Sequence, residues 1–213
     1  MDAIPSVGPF VGEAPEDRHA ERIVGEMLTY LDDFAATVEP QLLAAMGAHI
    51  PGSVKGQERF LARLRAVPSP AIINVAAVFG KRCRFAILLS LWEKDEFGGA
   101  NVVFCTASAD GPGTEKRDSI VRWRISKHAL VRLVQRSQAH DAVKLLSVMR
   151  IMAKAVILGL ADSGLVEDKP GVLKVPFTGG IAVLELPEPG ALITVKTILP
   201  PALEVAPPMA PSS

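Results

Sequence analysis

Cysteine is nearly absent: Cys83 and Cys105 are the only two in 213 residues. Two are too few for a disulfide framework, and no metal-ligand spacing surrounds either. The sequence therefore fits a reduced, cytoplasmic setting, with neither a metal nor another cofactor expected. A surplus of either charge is also missing, since Lys plus Arg and Asp plus Glu each number 23. No whole-molecule field draws nucleic acid or an anionic membrane, so any basic site must be local. Long uncharged apolar runs are missing too. The most apolar window, Ala142 to Leu160, carries Lys144, Arg150 and Lys154 and reads as a buried helix rather than a membrane span. The first residues lack the basic start and apolar stretch of a secretory signal, and no internal repeat is visible. The segment Gly111 to Lys116 lacks the Gly, four residues, Gly-Lys-Ser/Thr spacing with which a phosphate loop aims its backbone N–H groups, and it reads as a loop.

What is present is enough apolar sequence, 49% of the chain, for a substantial core. Pro5, Gly8, Pro9, Gly12 and Pro15 mark residues 1–15 as a flexible N-terminal arm. A helical region follows over residues 16–66. Apolar positions from Ala20 to Val38 keep helical spacing over Glu16 to Val38, Pro40 closes that helix, and shorter helices are expected over Gln41 to Ala48 and Lys55 to Arg65. The last of these carries Arg59, Arg63 and Arg65, which either contact nucleic acid or stand as a solvated face.

The Pro68-Ser-Pro70 break opens the main domain, residues 67–200. Apolar runs at Ala71 to Phe79, Arg84 to Trp92 and Asn101 to Ser108 predict strands, the second of which also fits a short helix. Asp141 is a suitable N-cap for a helix over Ala142 to Leu160, apolar nearly all round and expected to lie across a sheet as core. Antiparallel strands are predicted over Val172 to Pro176, Ile181 to Leu186 and Ala191 to Leu199, and residues 201–213 form a Pro-rich disordered tail. The fold class expected is α+β, with N-terminal helices and an antiparallel sheet packed against two central helices.

Polar chemistry concentrates in Val121 to Gln138, VRWRISKHALVRLVQRSQ. Val121, Trp123 and Ile125 alternate with Arg122, Arg124 and Ser126 as a strand, and Ser126 then caps a helix. On that helix His128, Arg132 and Arg136 recur every four residues and rise along one face. An imidazole kept neutral by the helix start could serve as a general base. Arg132 and Arg136, joined by Arg122 and Arg124 from the strand, could hold a phosphodiester. A hydroxyl or lysine from the last strand would complete the set, and Thr194, Lys196 and Thr197 are the candidates. Strand alternation places Thr197 with Ile193, Val195 and Leu199, and Lys196 with Thr194. The same pattern also fits a purely structural segment, because arginines near a helix C-terminus are favoured there in any case. His140 is an alternative base, while His19 and His49 have no evident partners.

The run Ile125-Ser-Lys-His-Ala-Leu-Val-Arg132, followed by a long helix, then VPFTGG, a strand, a turn and ITVKTILP, resembles the layout of small metal-independent ribonuclease toxins of the RelE and barnase type over residues 120 to 200. The resemblance implies helices before an antiparallel sheet that acts on RNA. It casts His128 as acid or base, Arg132 as phosphate binder and Thr197 or Lys196 as the strand-borne partner. The chain departs from that pattern in its length and its zero net charge. The functional expectation is a toxin-like, metal-independent endoribonuclease with RNA as substrate and an antitoxin-like protein on its N-terminal helices. The alternative is a non-catalytic nucleic-acid or protein-binding domain.

Overall fold

The computed structural model describes residues 15–46, 51, 53–67, 69–79, 85–109, 115–162, 171–188 and 191–201. Residues 1–14 of the N-terminal arm, His49, Cys83, Gly111 to Thr114 and residues 202–213 of the tail lie outside them, as does the side chain of Arg122.

Three helices come first: α1 (Pro15–Thr37), α2 (Glu39–Met46) and α3 (Val54–Arg65). The buried residues of α1, Ala20, Ile23, Val24, Met27, Leu31 and Phe34, follow the 3.6-residue period and make one apolar stripe. As the sequence suggests, α1 stops just short of Pro40. Pro40 itself lies in the first turn of α2, where its missing N–H removes no helical bond.

A four-stranded meander follows: β1 (Ile72–Phe79), β2 (Phe85–Lys94), β3 (Ala100–Ala109) and β4 (Glu115–Ile125). Then come α4 (Lys127–Ser137) and α5 (Ala142–Asp162), and β5 (Gly171–Phe177), β6 (Gly180–Leu186) and β7 (Ile193–Leu199) finish the fold. The class is α+β. Strands join in one sheet in the order β1-β2-β3-β4-β7-β6-β5, antiparallel except where β7 pairs parallel with β4. That parallel junction needs a long crossover, and α4, α5 and the β5–β6 hairpin supply it. With 21 residues α5 is roughly 31 Å long, which matches the ~29 Å width of seven strands. It touches both edge strands, β1 and β5.

Two features depart from the patterns in the sequence. First, α5 is not wholly core: Leu145, Leu146, Met149, Met152, Ala153 and Val156 are buried, but Val143, Ile151 and Leu158 stay 57%, 48% and 63% exposed. Second, bulges interrupt the alternation of β4 and β7. Val102 pairs with Trp123 and Val103 with Val121, so Arg122 is an extra residue. Thr197 pairs with Val183 and Val195 with Leu184, so Lys196 is another. The second bulge lets both Val195 and Ile198 turn inward, opposite Leu184 and Ala182, and all four are fully buried. Thr197 thereby leaves the face of Val195, where strict alternation put it, and joins that of Val183.

The core is centred on Trp92 and Trp123. Val102 pairs with both, and its small side chain leaves the indoles free to meet edge to face, with ring centroids 5.5 Å apart. Among the described residues no helix is long and apolar enough to cross a membrane.

Candidate functional site

The last ladder bond between β4 and β7 runs straight into the cap of α4. Ser126 N donates to Val195 O at 3.0 Å. The Ser126 hydroxyl accepts from Ala129 N and donates to Lys196 O, both at 3.2 Å. This capping geometry fixes where α4 begins and which side faces in. Ala129, Leu130, Leu133 and Val134 are buried, whereas Lys127, His128, Arg132 and Arg136 are exposed. His128, Arg132 and Arg136 thus do form one outward row, with steps of about 6 Å along the axis.

The remaining candidates sit on β4 and β7. Arg124 is a clamp: its Nε donates to Thr194 Oγ1 at 3.1 Å, its Nη1 is 3.8 Å from Asp95 Oδ2, and its guanidinium lies 5.7 Å from the centre of the Phe97 ring. It ties the β2–β3 turn to β7 beside a depression of about 200 Å³. Lys196 pairs with Glu185 at 2.7 Å, and half-buried Thr197 sits across from Val183. Among the described residues no hydrogen bond or ion pair joins His128 to Arg132, Lys196 or Thr197. Nor are any three His, Cys, Asp or Glu side chains among them grouped to hold a metal ion.

Arg132 is positioned by a relay. Its Nη1 donates to Gln135 Oε1 at 3.0 Å, and Gln135 in turn donates to Asp17 of α1. Arg136 has neither a hydrogen bond nor an ion pair among the described residues. The sequence from Ser119 to His140 contains no Asp or Glu, so no acid within α4 neutralises this row.

A feature the sequence did not single out lies at the end of the row, between α1 and the C-terminus of α4. It is a pocket of about 510 Å³ with buried Ala20, Val134 and Ala139 as floor and exposed His19, Gln138 and His140 as rim. Ala20 and Val134 stand more than a hundred positions apart, and only the packing of α1 on α4 joins them. Gln138 caps α4 in the left-handed region at φ 53°, the one non-glycine residue with positive φ among those described. His19 Nδ1 lies 3.3 Å from Arg22 Nη2, and His140 Nε2 lies 3.3 Å from Asp141 Oδ2. Comparison of the chain with protein-family models, with curated proteins and with solved structures found no match.

Proposed function

We propose that the protein binds RNA through the outer face of α4, with Arg132 and Arg136 as phosphate contacts and His128 beside them. The observation that carries this reading is an exposed helix face on which His128, Arg132 and Arg136 recur every four residues with no acid in α4. Ordinary solvated helix faces gain a few tenths of a kcal/mol from opposite charges four apart and lose a similar amount from like ones. Arg132 and Arg136, four residues apart, therefore repel each other slightly, and a polyanion running along the row would offset that repulsion. A local row of this kind is compatible with a net charge of zero.

A catalytic version of the reading, metal-independent RNA cleavage with His128 as acid or base, draws support from the exposure of His128 one turn from Arg132. Among the described residues neither Thr197 nor Lys196 is hydrogen-bonded or ion-paired to His128, and Lys196 is paired with Glu185, so this version does not name its second proton-transfer group. One experiment addresses both versions: fluorescent RNA is titrated with wild type, Arg132→Ala/Arg136→Ala and His128→Ala, and the same mixtures are run on a denaturing gel. The binding reading requires RNA affinity that falls in the double variant and survives in His128→Ala. The catalytic version requires in addition RNA fragmentation that His128→Ala abolishes. If wild type and double variant bind equally, the proposal fails.

A further inference from the structure

We infer that the pocket at the C-terminal end of α4 receives one unstacked base of the bound strand, with adenine preferred. This rests on the RNA-binding reading and goes beyond it by naming what is recognised. The row of His128, Arg132 and Arg136 climbs α4 toward the pocket, so a backbone held by the two arginines delivers its next nucleotide to the rim.

At about 510 Å³ the pocket falls within the ~300–1,000 Å³ typical of small-molecule sites, and its floor is apolar, as a base plane requires. The rim supplies flat rings and open polar atoms. His19 Nε2, His140 Nδ1 and the Gln138 amide have no hydrogen-bond partner among the described residues. Imidazole rings stack on unpaired bases, and a glutamine amide presents a donor and an acceptor that match N6 and N7 of adenine.

The backbone of Gln138 supports a recognition role. A residue in the left-handed region at a helix end is ordinarily Gly or Asn, and any other pays a conformational penalty there. Glutamine brings an amide to the rim that glycine could not.

The test uses the full chain and three probes: oligo(C), a strand of alternating C and A, and an RNA duplex of matched length. Wild type is expected to bind the C/A strand more tightly than oligo(C), by about 5- to 150-fold for one bidentate amide–adenine contact. Gln138→Gly, which suits the left-handed backbone, should fold, keep its affinity for oligo(C) and lose the preference. His140→Ala should reduce the preference as a second, independent readout. Arg132→Ala/Arg136→Ala should weaken every probe alike. Equal binding of the two strands by wild type, or a preference that survives Gln138→Gly, overturns the pocket assignment while leaving the RNA reading intact. Failure of wild type to bind any of the probes overturns both.

Discussion

Among the described glycines, Gly99 leaves least room for a side chain. A Cβ built there would stand 2.2 Å from the backbone oxygen of Ile125 and 3.3 Å from its carbon. Neither side can yield easily. Gly99 O accepts from Asp95 N at 3.0 Å, and the residue after Ile125 is the cap of α4, bonded to β7 on both sides. Its neighbour provides the control. Gly98 has φ +77°, but a Cβ there would meet only the Lys127 side chain at an ordinary 3.6 Å. Gly98→Ala should therefore cost the left-handed penalty alone, about 1–2 kcal/mol. Gly99→Ala forces apart two backbones and belongs at the upper end of overpacking, about 3 kcal/mol. At about 2–4 °C per kcal/mol for a chain of this size, the melting temperature should fall by roughly 6–12 °C for Gly99→Ala and roughly 2–8 °C for Gly98→Ala. Thermal denaturation followed by far-UV circular dichroism, checked by urea midpoints, reads both. If Gly99→Ala melts at or above Gly98→Ala, the close approach of the β2–β3 turn to the end of β4 is wrong.

The cap of α4 offers a second check: Ser126→Ala removes the bond to Ala129 N and the link to Lys196 O, and a loss of about 1–2 kcal/mol in urea denaturation is expected. A value near zero would mean that water replaces the hydroxyl. Burial pushes the Glu39 carboxyl above its ordinary value of 4.5, and Glu93 nearby adds to the rise. Because the folded state then holds the proton more tightly, stability falls as pH rises from 4.5 through the raised value, and Glu39→Gln should escape that fall. The melting temperature of the variant relative to wild type should accordingly be higher at pH 7 than at pH 4, and a difference independent of pH would refute the assignment.

Local chemistry was readable in the sequence. Ser126 and Asp141 are caps, as their residue type and position suggest, with Lys144 N bonded to Asp141 Oδ1 at 2.7 Å. The outward row on α4 follows from helical spacing, since apolar Ala129, Leu130, Leu133 and Val134 fix the inward side. Longer-range features were not readable. The bulges at Arg122 and Lys196 exist because register is set by the partner strand, and nothing in RWR or VKT announces an extra residue. Strict alternation puts Thr197 on the face of Val195, and the one-residue bulge carries it to the other. Arg124 looked like part of a basic cluster, and the Asp95 that engages it arrives from the β2–β3 turn. Val143, Ile151 and Leu158 show that an all-round apolar helix need not be covered on every side, because the sheet and α1 reach only part of it. The pocket at Gln138 depends on α1 meeting α4, a tertiary contact with no local signature.

The central claim, that the α4 row holds a phosphate backbone, is most directly tested by the salt dependence of RNA binding. For single strands each phosphate contact adds about −0.7 to the slope of log K against log salt. Arg132→Ala/Arg136→Ala should therefore flatten the wild-type slope by about 1.4 as well as lowering affinity. A slope unchanged by removing both arginines would contradict the account, because it would place the phosphate contacts elsewhere on the protein.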